Sequence, residues 1–352
     1  MTHPNYPPVE DEPEEYIALT NQGVMLVARG AYDEAMASFD RALELKPDYF
    51  AAWHDRGNLL FDLGRYEEAI VCYDEAIKSQ PNLSMLWVAR GNALGKSRQY
   101  EASVASYDRA LELSPNNEFA WFNRGISLAS LNRASEAIAS YDKALEINPD
   151  NHEAWTNRGN ALFDLERYQE ALASWEKALE LEENDPIALF NRGFLLETIG
   201  EYERAIASFN KALKLQPNSP DSWIYRGHAM ACLGQTEEAI ASWEKALELA
   251  PNDEWIWCDR GDLLQNLGRY EEAIACYERS ISINPQSAEA WYAIACCYAA
   301  LGQGDRVMDN LRQALRINAE EYRHRALADA GFDSLRHSEQ FHRLMRDRES
   351  DS

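Results

Sequence analysis

The sequence is short of positive charge: 34 Lys and Arg stand against 59 Asp and Glu, a formal net charge of −25. That balance repels nucleic acid and anionic membranes, which need Lys and Arg to neutralise their phosphates, and it favours neutral or basic partners. Long apolar runs are also missing, and none would span a bilayer, so membrane insertion is not expected. Cysteine is scarce, with 6 in 352 residues and no framework spacing, which points to a reducing compartment and a cytoplasmic location. Cys232, Cys258, Cys296 and Cys297 fall late in the chain, but no Cys-x-x-Cys occurs; buried small residues explain them better than zinc. There is no phosphate loop, dinucleotide fingerprint or nucleophile elbow. The histidines have no common spacing to a nucleophile. Neither catalytic residues, nor a cofactor, nor a metal are therefore expected. The opening MTHPNYPPVEDEPEE has no basic stretch followed by an apolar one. It does not read as a secretory signal, and residues 1–15 are predicted to be a disordered acidic, proline-rich tail.

What is present is one sentence written many times. AWHDRGNLLFDLGRYEEAIVCYDEAIKSQP, Ala52 to Pro81, returns in near-copies. Pro recurs at 47, 81, 115, 149, 217, 251 and 285, with Glu183 in the gap; Trp recurs at 53, 87, 121, 155, 223, 257 and 291, with Leu189 in the gap. Gly stands at 57, 91, 125, 159, 193, 227 and 261. Every step is 34 residues or a multiple of it. Each slot has a physical task in a pair of amphipathic helices. In the copy from residue 50, Trp53 and Leu60 share a face of the first helix. Gly57 admits the second helix to close range. Gly64 closes the first helix in the left-handed region. Ala69, Tyr73 and Ala76 form the packing stripe of the second helix, and Pro81 ends it.

A 34-residue period with two helices per unit resembles the tetratricopeptide repeat (TPR) family, and the chain is most similar to bacterial, cyanobacterial-type arrays. The resemblance implies an all-α fold: a right-handed α-solenoid of about nine hairpins. The units run 16–49, 50–83, 84–117, 118–151, 152–185, 186–219, 220–253, 254–287 and 288–321. After them the period breaks. In 322–352, Phe332, Leu335, Phe341, Leu344 and Met345 suggest one or two short helices that cap the last hairpin. FDSLR resembles the terminal motif found after many bacterial arrays.

One departure from the family pattern stands out. Where that pattern has Leu before the Gly, this chain has Arg56, Arg90, Arg124, Arg158, Arg192, Arg226 and Arg260. Eighteen residues on stand Asp74, Asp108, Asp142, Glu176, Asn210, Glu244 and Glu278. In the ninth unit the pair becomes Ile294 and Arg312. Two readings remain open: a structural ladder of ion pairs within or between units, or Arg stems laid on the core with their heads in water.

In the family the first helices line the concave face, so the resemblance implies that slots 2, 5, 9 and 12 of each unit face inward. These slots are unusually apolar here, with Phe119, Phe122, Ile126, Phe163, Phe190, Phe194 and Trp255. They either line a groove for an apolar segment or pack between adjacent first helices. Asn123, Asn157 and Asn191 hold slot 6 in three successive units, where side-chain amides could pair with a peptide backbone. The Lys and Arg that would grip a C-terminal carboxylate are missing from these slots. The expected function is a non-catalytic interaction scaffold for an apolar or basic protein or peptide. Alternatives are a recruiting or assembly subunit of an enzyme system encoded elsewhere, and self-association through the end units.

Overall fold

The computed structural model describes residues 15–346. The tail expected over 1–15 lies outside them except for Glu15, and so do the last six residues. Among the described residues there are twenty α-helices, one 3-10 turn and no strand. Eighteen of the helices pair into nine hairpins, of which the first five are α1(Glu15–Ala28)/α2(Tyr32–Leu45), α3(Phe50–Asp62)/α4(Tyr66–Ser79), α5(Ser84–Lys96)/α6(Tyr100–Leu113), α7(Glu118–Ser130)/α8(Ala134–Ile147) and α9(His152–Asp164)/α10(Tyr168–Leu181). The remaining four are α11(Pro186–Thr198)/α12(Tyr202–Leu215), α13(Pro220–Cys232)/α14(Thr236–Leu249), α15(Glu254–Asn266)/α16(Tyr270–Ile283) and α17(Ala288–Ala300)/α18(Gly304–Ile317). The chain is an all-α solenoid.

Short-range chemistry sets the helix limits. The side chains of Asn117, Asn151, Asp185, Ser219, Asp253 and Ser287 cap α7, α9, α11, α13, α15 and α17 by accepting from backbone N–H groups of the first turn. Each first helix then ends in a left-handed residue. Six of these are glycines, such as Gly64 at φ 75°, but Arg98, Asn132 and Glu166 adopt φ 62°, 58° and 59° at the same register position. Seven of the nine second helices close shortly before the repeat's proline, as α4 does before Pro81.

The hairpins pack through small first-helix residues set against large second-helix ones. A Cβ on Gly57 would sit 2.7 Å from Tyr73 Cε1, one on Gly125 2.5 Å from Tyr141 Cε1, and one on Gly159 2.5 Å from Trp175 Nε1. The rings of Tyr73, Tyr141 and Trp175 are buried. In the ninth hairpin this Gly becomes Ala295 and the aromatic becomes Leu311, both fully buried, so the ring shrinks where the glycine grows.

The chain forms two compact units, residues 1–183 and 184–352. The division falls at the one junction whose sequence lacks both the repeat's Pro and its Trp, having Glu183 and Leu189 instead. First helices of successive hairpins touch directly at α1 with α3, α3 with α5, α5 with α7 and α7 with α9 in the first unit, and at α11 with α13 and α15 with α17 in the second, whereas α13 and α15 approach each other less closely. Second helices make no comparable approach, which places the first helices on the inner side of each stack.

The second unit ends in α19(Ala319–Ala328), a 3-10 turn at Ala330–Phe332 and α20(Glu339–Arg346). The first of these starts three residues earlier than the cap boundary expected at 322. Tyr322, Ala326, Phe332, Phe341 and Met345 are buried in one cluster with Tyr292, Val307, Met308 and Leu311 of the last hairpin. Tyr292 holds slot 5 of the ninth unit, a slot expected to face inward, and is instead core beneath the cap.

Candidate functional site on the first-helix face

Within each unit, the Arg before the glycine ties consecutive hairpins together. Arg90 Nε donates to Asp74 Oδ1 at 2.6 Å, Arg124 to Asp108 at 2.6 Å and Arg158 to Asp142 at 2.6 Å. Arg56 pairs with Asp40 at 2.9 Å and Arg260 with Glu244 at 2.9 Å, while Arg226 donates to the neutral Asn210 at 2.7 Å. The partner is the residue 16 before the Arg, in the preceding hairpin, rather than the residue 18 after it in the same one. A second guanidinium nitrogen reaches forward within the hairpin, from Arg90 to Ser106 at 2.7 Å, from Arg124 to Ser140 at 2.6 Å and from Arg226 to Ser242 at 2.6 Å. The guanidinium of Arg124 also lies 5.7 Å from the Trp121 ring centroid and that of Arg226 5.5 Å from Trp223. The indole of Trp121 in turn donates to the Pro115 carbonyl at 2.8 Å, a bond repeated from Trp53 to Pro47 and from Trp87 to Pro81. The Ser members were not singled out in the sequence; their Arg-x15-Ser spacing, repeated at the 34-residue period, was the available signal.

The inner face carries the residues read as a groove, and they divide by depth. Phe119 is 68% exposed, Trp255 72% and Ile187 58%, all at slot 2; Ile126 at slot 9 is exposed as well. Phe122, Phe163, Phe190 and Phe194 are half-buried and lean on rings of the fold. Phe122 meets Tyr141 at 6.1 Å between centroids, and Phe163 meets Tyr168 at 5.5 Å. In the second unit Phe190 and Phe194 pack against Tyr225 of the next first helix at 6.0 and 4.8 Å. Packing between adjacent first helices thus accounts for part of the aromatic content. Tyr225 and the neighbouring His228, whose Nε2 donates to Asp259 Oδ2 at 2.8 Å, were not picked out from the sequence.

Asparagines at slot 9 serve the fold. Asn58, Asn92 and Asn160 accept from Tyr73 OH, Tyr107 OH and Trp175 Nε1 at 2.9, 2.6 and 3.0 Å. Of the slot 6 asparagines, Asn123 donates to Asn92 Oδ1 at 3.4 Å; Asn157 and Asn191 are half-buried on their first helices. Asp262 replaces Asn at slot 9 of the eighth hairpin and accepts from Tyr277 OH at 2.7 Å. Burial raises its pKa, and Asp259 and Glu289 add to the effect. Burial likewise raises Glu197.

A recess opens in the first unit between the third and fourth hairpins. Its volume is about 400 Å³, and its lining includes Phe61, Asn92, Tyr100, Tyr107, Asn123 and Ile126. It exists because slot 12 of the third hairpin is Gly95, where hairpins two and five have Phe61 and Phe163.

Burial pushes the thiol of Cys276 up to about 11 and that of Cys297 up to about 12, which keeps both protonated at neutral pH and poor as nucleophiles or metal ligands. Among the described residues no group of three His, Cys, Asp or Glu is gathered as for a metal, and no helix is long and apolar enough to cross a membrane.

Comparison with known proteins agrees with this architecture. A tetratricopeptide repeat model matches residues 88–152 and 156–220, and a TPR repeat model matches 227–268 and 261–302. Further tetratricopeptide repeat models match 26–90, 208–241 and 288–321. No curated protein sequence matches the chain. Among solved structures, a tetratricopeptide repeat protein from Parabacteroides merdae aligns at 21% identity over 72% of this chain and 98% of its own, with TM-score 0.53. Pseudomonas aeruginosa pilF aligns at 18% identity over 59% of this chain and 95% of its own, with TM-score 0.51. YrrB, described as a TPR protein with an unusual peptide-binding site, aligns at 27% identity over 51% of this chain and 92% of its own, with TM-score 0.46. The repeat models span nearly the whole array of hairpins, and the chain belongs to the tetratricopeptide repeat family of protein-interaction scaffolds.

Proposed function

We propose that this chain is a non-catalytic scaffold that holds an apolar or amphipathic segment of a partner protein on its first-helix face, with the recess beside Gly95 taking an anchor side chain. The recess carries the reading. Its lining joins rings and amides, from Phe61, Tyr107, Asn92 and Asn123, with Lys96, Ser127, Ser130 and the exposed Ile126. Such a lining favours an apolar side chain, with amides beside it to meet the polar backbone on either side. Phe119, exposed on the same helix as Ile126, extends the apolar surface by two turns. The fold itself does not need Phe119 or Ile126 to face solvent.

Filling the recess tests the reading. Gly95→Phe places at slot 12 the side chain that hairpins two and five already carry there, and a Cβ at Gly95 meets nothing closer than Ser103 Oγ at 3.5 Å. The variant should fold and gain helix propensity, since Gly is unfavourable by about 1 kcal/mol in a helix interior. Peptides selected from a random display library on the wild-type protein should carry a large apolar residue and lose binding to Gly95→Phe. Selected peptides that bind both proteins equally would remove the recess from the function.

A further inference from the structure

We infer a second docking surface, separate from the recess, along the leading edge of the first helices in the second unit: it takes a segment that presents apolar, basic and apolar side chains in turn. The observation is an alternation at slot 2. From the fourth hairpin to the ninth, that register position reads Phe119, Glu153, Ile187, Asp221, Trp255 and Glu289. Within the second unit, Ile187 and Trp255 are 58% and 72% exposed, and Asp221, at the same position of the hairpin between them, is exposed too. A carboxylate in the first turn of a helix is favoured by the helix dipole, which accounts for Asp221. It does not account for an isoleucine and a tryptophan held in solvent on either side of it. Large exposed apolar groups at a repeating position mark a contact surface.

The chain itself shows what an acid at this position takes. Glu289, the next member of the series, receives Arg325 of the cap, with Arg325 Nη2 donating to Glu289 Oε1 at 2.9 Å. Tyr322 OH donates to the other oxygen at 2.8 Å. The Arg325 guanidinium lies 4.5 Å from the ring centroid of Tyr292, at slot 5 of the same helix. At the seventh hairpin the equivalent places hold Asp221 and half-buried Ile224, and among the described residues Asp221 has no ion-pair partner. The position is therefore built for an arginine or lysine that the chain supplies once, at its end, and leaves to a partner one step earlier. The net charge of −25 works in the same direction.

Spacing sets the form of the partner. Packed helices lie about 8–10 Å apart, and a polyproline II chain advances about 3.1 Å per residue with three residues per turn, so that every third side chain points the same way. A segment of this kind therefore meets directly packed first helices, as α11 and α13 are, with every third side chain. The matching pattern is an apolar residue for Ile187 and a basic residue three on for Asp221, followed by another apolar residue that reaches Trp255.

The test uses a fluorescent peptide that repeats Leu-Pro-Ser-Arg-Pro-Ser and ends on Leu, its prolines keeping it extended. Fluorescence anisotropy should show saturable binding to the full-length protein. Trp255→Ser or Ile187→Ser, both at exposed positions, should weaken it about ten-fold or more. Asp221→Arg should lose this peptide and gain a version with Glu in place of Arg. Gly95→Phe should bind the Arg peptide as the wild type does, which separates this surface from the recess. The inference is overturned if no binding is seen, if a peptide of the same composition with Arg moved by one place binds equally, if Asp221→Arg does not exchange preference, or if Gly95→Phe abolishes binding. Circular dichroism of each variant shows that its fold is intact.

Discussion

Arg124 and Asp108 meet at 2.6 Å although they belong to different repeats. The contact makes the ladder a device for joining hairpins, and it explains why the series stops where it does. In the ninth unit Arg becomes Ile294, which is buried against the eighth hairpin, so that joint is apolar. The Arg124 side chain is 18% exposed and Asp108 47%, so the Arg end is the costly one to remove. Arg124→Met should lower stability by about 1–3 kcal/mol, since it leaves Ser140 without its donor and Asp108 without its partner. Asp108→Asn should cost less than about 0.5 kcal/mol, because Asn210 already plays this part opposite Arg226 at 2.7 Å. Urea unfolding midpoints of the two variants check the order. Equal losses would mean that charge, rather than the hydrogen bond, holds the joint.

Three successive turns carry strain that the other six avoid. Arg98, Asn132 and Glu166 occupy the left-handed region in which Gly30, Gly64, Gly200, Gly234, Gly268 and Gly302 stand elsewhere. A residue with a Cβ loses about 1–2 kcal/mol there, and Asn less than most. Arg98→Gly and Glu166→Gly should each stabilise the chain by about 1 kcal/mol, and Asn132→Gly by less. Thermal unfolding followed by circular dichroism gives the ranking. A destabilised Glu166→Gly would show that its side chain contributes more than its backbone loses.

The fold was legible because each slot of the repeat answers one local constraint. The first residues assigned to units two to nine, from Phe50 to Ala288, are the first residues of α3, α5, α7, α9, α11, α13, α15 and α17. The identity of ion-pair partners was less legible. In sequence Arg90 has Asp74 and Asp108 at nearly equal distances on either side, 16 before and 18 after, and only the stacking of hairpins selects the first. The inner face was the hardest to read. Phe119 at slot 2 and Phe190 at slot 5 are both expected on the inner face, yet Phe190 leans on Tyr225 while Phe119 stands in solvent. Depth depends on what the next hairpin offers, and Gly95 is visible as a recess only once Phe61 and Ile126 are placed around it.

Gly125 and Tyr141 form a lock that the ninth hairpin rewrites as Ala295 and Leu311. Gly125→Ala puts a methyl 2.5 Å from the Tyr141 ring, and overpacking of this kind costs about 1–3 kcal/mol. Tyr141→Leu alone leaves a cavity beside the glycine and should cost about 2–4 kcal/mol. The double substitution recreates the ninth hairpin's pair. It should recover at least about 1 kcal/mol relative to the sum of the single losses, as coupled neighbours do. A double-mutant cycle in urea measures the coupling, and strict additivity would mean that the two positions are independent.

Two carboxylates of the second unit should titrate with opposite effects on stability. Hydrogen bonds from Arg325, and more weakly from Tyr322, hold Glu289 below its usual pKa of 4.5. Its folded value is depressed, so its contribution is present above 4.5 and is lost as pH falls through the folded value. Glu289→Gln should therefore be less stable than wild type at pH 7, with the gap closing below about pH 4. Asp262 is the reverse case, raised above 3.8 by burial despite the bond from Tyr277. Its ionised form opposes folding at neutral pH, and that opposition fades as pH falls through the raised folded value. Asp262→Asn keeps the acceptor for Tyr277 OH, as Asn92 does for Tyr107, and removes the buried charge. It should be more stable than wild type at pH 7, with the advantage vanishing in acid. Urea midpoints of the wild type and both variants across pH 3–8 test the two signs together. A loss of stability in Asp262→Asn at pH 7 would show that the carboxylate, not merely the acceptor, is needed beneath Tyr277.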